Sequence, residues 1–309
     1  MKTAERIVRP AIVVMCVLLA ARSQVGRAVL SAPQNDRPSS QPRVVTTILP
    51  LYCFASGVAG DLAQVDNLLP ESASGHDYQL SAQDARKLNN ADIVIATGLG
   101  LEDEFLGRRF KAPSVKAAAG IDPIRGHVHE DHRHGDDTNP HFWLDPVLAA
   151  HAVTNILRAL QKADPQNADG YALNAAAYVA RLHKLDQEIA AGLAPYRGRA
   201  LVTYHEAFPY FARRYSLQIA GVVQEVADVE PTARHLSELR ALIRDKKIRV
   251  IFMETGSDAR RLKQLGADLG VKIATLDPLE SGPLSPTAYE NGMRRNAESI
   301  RKAFDAPVP

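Results

Sequence analysis

The chain reads as an α/β protein of two lobes, with parallel sheets flanked by helices, joined by one long connecting helix. Three observations predict this. Short β-branched runs alternate with longer helical patterns on both sides of the centre, and that alternation favours parallel sheets covered by helices on both faces. The centre itself, 146–194, contains no convincing strand. Its second half is long, Ala-rich and periodic, as a spine between two lobes would be. A chain of 309 residues is long enough for two modest domains with ample core.

In residues 1–30, Lys2, Arg6 and Arg9 precede an apolar run at 11–21, and small residues follow near Ala28. This is the layout of a signal peptide. The run is too short to span a bilayer comfortably, which disfavours the rival reading of an uncleaved anchor. Cys16 lies inside the apolar run and not after it, so it reads poorly as a lipid-attachment site. Residues 31–42, rich in Ser, Pro, Gln and Asn, read as a disordered leader. Removal of the signal leaves Cys53 as the single cysteine. That excludes an intramolecular disulfide and argues against a zinc site built mainly from Cys. Cys53 is expected to be a small buried residue near the end of the first strand.

The first lobe is placed at 43–164, with strands at 44–48, 65–69 and 93–97 and helices at 82–89 and 102–109. It includes a His-rich loop at 126–137. Pro165 splits the centre, and the connecting segment is 165–195. Its helix, 167–193, carries an apolar stripe of Tyr171, Leu173, Tyr178, Leu182 and Leu185. The second lobe is 196–309, with strands at 200–204, 250–254 and 272–276 and helices at 207–215, 232–246 and 257–269. Pro231 suits the first turn of one helix, and Gly270 suits the stop of another.

Lys plus Arg number 37 and Asp plus Glu 35. No basic stripe points to nucleic acid, and no acidic tail points to disorder. The chemistry lies in histidine. His127, His129, His132 and His134 fall within eight residues, a compositional metal signal. They read as a flexible, low-affinity accessory metal loop. Ligands in open parallel sheets bind beyond the carboxyl ends of strands. His76, His141, His205 and Asp277 all follow such ends or close such loops. Two come from each half, so a site made of all four lies in the cleft between lobes.

The segments Gly75-His76-Asp77-Tyr78, Asn139-Pro140-His141-Phe142-Trp143-Leu144-Asp145, His205 through Phe211, Phe252-Met253-Glu254 and Leu276-Asp277-Pro278-Leu279 give the chain a family resemblance. It resembles the solute-binding components of bacterial zinc and manganese ABC importers, over about 44–304. The resemblance implies two α/β lobes joined by a rigid helix, with a metal between them held by His76, His141, His205 and Asp277. Three imidazoles and a carboxylate suit tetrahedral Zn²⁺, the transported ligand. His at the third position separates zinc-type from manganese-type relatives, which carry a carboxylate there. The common Pro-His pair at the first ligand is Gly75-His76 here. Glu254 reads equally as a carboxylate that orients a ligand His by accepting its other ring N–H and as a structural ion-pair partner. Glu206 is an alternative oxygen donor. His151, His183 and His235 read as surface or packing residues.

The implied function is high-affinity capture in the periplasm, without catalysis, by a monomer that docks on a membrane permease driven by a cytoplasmic ATPase. Rival readings are a manganese-binding component, a metal-dependent adhesin, or a secreted zinc hydrolase. Against the hydrolase, Pro209 stands where a His-Glu-x-x-His motif starting at His205 would need its second His.

Overall fold

A computed structural model describes residues 41–306, apart from 74, 77, 108–109, 127–137, 225–230 and 255–258, and describes 104 and 259–263 by backbone alone. The expected signal peptide, nearly all of the leader, and His127, His129, His132 and His134 lie outside the described residues.

The first lobe runs β1 (Arg43–Thr46), α1 (Leu49–Ala59), β2 (Gln64–Asn67), α2 (Ala82–Asn90), β3 (Ile93–Ala96), α3 (Asp103–Leu106) and β4 (Ser114–Lys116). The centre holds α4 (Pro146–Ala163) and α5 (Ala168–Leu193). The second lobe runs β5 (Ala200–Thr203), α6 (Pro209–Arg214), β6 (Gln218–Val222), α7 (Ala233–Asp245), β7 (Val250–Glu254), α8 (Ala259–Leu269), β8 (Lys272–Leu276) and α9 (Ala288–Asp305).

The two sheets share one topology. Their orders are β2-β1-β3-β4 and β6-β5-β7-β8, and every pairing is parallel. Strand order therefore reverses between β1 and β3 in one lobe and between β5 and β7 in the other. Such switch points open a crevice at the carboxyl edge where a ligand can sit.

Local chemistry sets the helix starts. Ser81 and Asp84 form a capping box on α2, Asp145 caps α4 by accepting the Val147 N–H, and Thr232 caps α7 by accepting that of His235. On α5 the buried residues are Tyr171, Ala175, Tyr178, Leu182, Leu185, Asp186, Ile189 and Leu193. Leu173, expected in that stripe, is 74% exposed. It lies two residues from Tyr171, about 200° around the helix, and so faces the opposite side.

The main core is shared by both lobes. It runs from Val44, Ile95 and Phe54 of the first lobe through Ile156, Tyr178 and Leu182 of the centre to Leu201, Phe211, Phe252 and Met293 of the second. Each lobe keeps a smaller core on its outer face, around Val94 and Leu88 in the first and Ile251 and Leu239 in the second. Cys53 is buried in α1, just beyond the first strand. No helix among the described residues is long and apolar enough to cross a membrane.

Candidate metal centre

Four loops at the carboxyl edges of the two sheets each send one side chain to a common point. His76 follows β2, His141 ends the loop that leads into α4, His205 follows β5, and Glu280 follows β8. One ligand atom from each of the four lies within 4.8 Å of all the others. The rings of His141 and His205 are 5.1 Å apart between centroids, and His76 lies 5.5 Å from His141 and 5.7 Å from His205.

His141 and His205 present Nε2 to the centre, 3.3 Å apart. Each is held from behind. His141 Nδ1 is 3.0 Å from Asn139 Oδ1. His205 Nδ1 meets Glu254 Oε1 at the end of β7, across the β5–β7 switch point. Glu254 thus stands where a carboxylate fixes ring orientation and directs the other nitrogen inward.

Glu280 Oε1 is 3.0 Å from His141 Nε2 and 3.4 Å from His76 Nε2. Its second oxygen, Oε2, accepts the Gly75 N–H at 2.9 Å. A Cβ at position 75 would stand 3.1 Å from that oxygen. Gly75 therefore does two things that a proline could not do together: it supplies a donor and leaves room. The backbone of the Glu280 loop is anchored as well. Trp143 Nε1 donates to the Pro278 carbonyl at 2.8 Å, and the Leu49 N–H donates to the Glu280 carbonyl at 3.0 Å.

Burial dominates the electrostatics. It pushes the His141 imidazole down to about 4, against the pull of Glu280, with His205 and His76 adding to the downward shift. Burial pushes Glu280 upward, but its hydrogen bonds to His141 and His76 outweigh that and hold the carboxyl well below its usual range. At neutral pH the pocket thus offers a carboxylate beside a neutral His141, the protonation states that bind a divalent cation.

The structure brings together His76, His141 and His205 of the residues expected from sequence, and it does not bring Asp277 to them. The Asp277 carboxylate turns back on its own loop, where Oδ1 accepts the Leu279 N–H at 2.8 Å and Oδ2 is 4.0 Å from Arg295. Its backbone N–H and C=O are both taken by the Asn296 side chain, at 2.8 and 2.7 Å. Leu279 then sits at φ 64°, a left-handed turn that swings Glu280 into the pocket. The carboxylate that the structure brings to the three imidazoles is that of Glu280. The sequence signal for Glu280 was a second carboxylate in the same post-strand loop, three residues on.

Glu206 is not part of the group, although its carbonyl receives Asn139 Nδ2 at 2.5 Å. His151 bonds the Ala119 carbonyl and His235 the Val222 carbonyl, both at 2.8 Å, as packing residues do.

The family model described as zinc-uptake complex component A, periplasmic, matches residues 44–303. The zinc-binding lipoprotein AdcA of Streptococcus pneumoniae (strain ATCC BAA-255 / R6) is 31% identical over 298 residues, covering 91% of this chain and 59% of AdcA. The chain thus spans about three-fifths of the length of that relative. The high-affinity zinc uptake system protein ZnuA of Bacillus subtilis (strain 168) is 28% identical, covering 87% of this chain and 89% of ZnuA. A crystal structure of ZnuA superposes with a TM-score of 0.75 at 28% identity, over 85% of this chain and 99% of that one. With a family-model match over 44–303, most of its length, the chain belongs to the zinc-uptake complex component A family.

Proposed function

We propose that this chain captures Zn²⁺ outside the cytoplasm and delivers it to the permease of an ABC importer. The observation that carries the reading is the convergence of His76, His141, His205 and Glu280 within 4.8 Å. Three imidazoles and one carboxylate supply the four donors that a closed tetrahedral zinc shell needs, which supports storage of the ion over hydrolysis. Nitrogen donors also favour zinc over the harder Mn²⁺. The family's description as a periplasmic uptake component supports an extracytoplasmic place of work and a permease with its ATPase as partners. On this proposal the chain works as a monomer without catalysis, and His127, His129, His132 and His134 serve as a low-affinity accessory loop.

Calorimetric titration of the metal-stripped mature chain with Zn²⁺ and Mn²⁺, under a competing chelator, tests this. One tight zinc site, barely filled by manganese and lost in His205→Ala, is the expected result. Tight manganese binding, or no tight site, would overturn it. Deleting 127–134 is expected to leave the tight site intact.

A further inference from the structure

We propose that Glu102 is a positioning residue of the metal centre: its carboxyl closes the first lobe's switch point and braces the loops that carry His76, His141 and Glu280. This deepens the capture reading and rests on it. Glu102 is not one of the four residues that meet at the centre.

The two switch points are filled differently. In the second lobe His205 and Glu254 meet across β5 and β7. In the first, the residues just beyond β1 and β3 are Thr47 and Thr97, and Glu102, immediately before α3, joins them. The Thr47 hydroxyl donates to Glu102 Oε1 at 2.7 Å, the Thr97 N–H donates to the same oxygen at 2.7 Å, and the Thr97 hydroxyl donates to Oε2 at 2.6 Å. Both threonines are fully buried and Glu102 is 3% exposed, so water cannot readily replace these bonds. The intervening loop turns the carboxyl back onto the strand ends through glycine. Gly98 and Gly100 take φ 84° and 92°, and a Cβ at Gly98 would stand 2.5 Å from that of Lys116.

Each strand end held by Glu102 touches ligand loops. On the β1 side, the Thr47 carbonyl accepts the Leu69 N–H at 3.1 Å, where the chain leaves β2 toward His76. Two residues after Thr47, the Leu49 N–H donates to the Glu280 carbonyl at 3.0 Å. On the β3 side, Leu101 forms a wall for the His76 loop: a Cβ at Gly75 would stand 3.4 Å from its side chain. The Leu99 carbonyl accepts the Thr138 hydroxyl at 3.4 Å, in the segment that leads to His141. One carboxyl thus ties two strand ends together, and those ends contact three of the four ligand loops. A side-chain amide at 102 can replace it. Its oxygen would still accept from the Thr47 hydroxyl and the Thr97 N–H, while its nitrogen donates to the Thr97 hydroxyl oxygen. A methyl group cannot, and it strands the buried Thr97 N–H.

The test measures zinc affinity by chelator competition, folding by urea denaturation, and amide hydrogen exchange at Leu49 and Gly75 in zinc-free protein. Glu102→Ala should weaken zinc binding roughly tenfold, the lower end of the loss that follows removal of a ligand-supporting partner, and speed exchange at both amides. Glu102→Gln should restore affinity to within a few-fold of wild type. Leu88→Ala, which opens the first lobe's outer core, is the control: it should destabilise the fold and leave zinc affinity unchanged. Unchanged affinity in a folded Glu102→Ala would overturn the proposal. So would a Glu102→Gln as weak as Glu102→Ala, or a Leu88→Ala that loses zinc to the same extent. Should Glu102→Ala fail to fold, Thr97→Val takes its place, since it removes one of the three bonds and keeps the side-chain shape. It should weaken zinc binding less, and unchanged affinity there would overturn the proposal. A wild type that binds no zinc would overturn the capture reading instead. The zinc-free exchange rates would still judge the brace, because equal rates in Glu102→Ala and Leu88→Ala would overturn it.

Discussion

Acid should destabilise the metal-free protein in part through His141, and the size of that part follows from its burial. His141 is 2% exposed, and burial pushes it down to about 4 from the ordinary 6.5. The unfolded chain therefore binds a proton between pH 6.5 and about 4 that the folded chain refuses, so stability rises with pH across that window. Above 6.5 neither state is protonated and the contribution is flat. One pH unit is worth about 1.4 kcal/mol, so the loss reaches about 2 kcal/mol at pH 5 and about 3 kcal/mol by pH 4. Glu280 adds to the acid loss only below its unfolded value, because its folded carboxyl titrates lower still. Urea denaturation of metal-stripped wild type and His141→Gln from pH 7 to pH 5 isolates the term, since other groups contribute to both. The wild type should lose about 2 kcal/mol more than the variant. Parallel pH profiles would refute the reasoning, because His141 would then titrate alike folded and unfolded.

The remaining predictions separate the two carboxylates, the glycine and the helix stripe. Glu280→Gln should weaken zinc binding by about 3 kcal/mol, roughly a hundredfold in chelator competition. Asp277→Asn should change it only a few-fold, because an amide oxygen still accepts the Leu279 N–H. Equal losses would show that the loop carries both residues to the metal. Gly75→Pro removes a donor to an ionised, buried oxygen and should cost about 1.5–3 kcal/mol of zinc affinity, whereas Gly75→Ala keeps the N–H and should cost less; the reverse order in the same competition assay would discard the hydrogen bond as the cause. Leu182→Ala should destabilise the fold by about 2–5 kcal/mol in urea, against under 0.5 kcal/mol for exposed Leu173→Ala. Similar midpoints for the two would contradict the assigned helix face.

What the sequence discloses depends on whether the physical signal is local. The central strands β1, β3, β5 and β7 are short, buried and β-branched, and they are legible as such. The edge strand β4 is Ser-Val-Lys and β6 is Gln-Ile-Ala-Gly-Val, neither of which alternates convincingly; pairing with β3 and β5 makes them strands. Helix α1 is apolar on nearly every side, so it has no stripe for periodicity to find. Helix α9 buries Glu290 and Asn296 within its apolar face, which breaks the pattern. Glu290 is held there by Arg181 at 2.6 Å, a partner 109 residues away. At the site, imidazoles after strand ends are visible in the chain. The choice between Asp277 and Glu280 is not, because it turns on the left-handed backbone at Leu279 and on Asn296 from α9. Those contacts exist only after folding.

The division between core and loops bears on which parts of the chain move at least cost. Both lobes contribute to one hydrophobic core with α1, α4, α5 and α9 between them, so a wide hinge opening would expose apolar residues such as Phe54, Tyr178 and Met293 to water. Fully exposing one such side chain costs about 1.5–3 kcal/mol, and several would move together. The cheaper motions lie in the four post-strand loops, where Asn139, Glu254 and Gly75 meet His141, His205 and Glu280. The fold thus separates its tasks. The shared core fixes the distance between the two sheet edges, and the loop contacts set which ring nitrogens and which carboxylate oxygen face the common point.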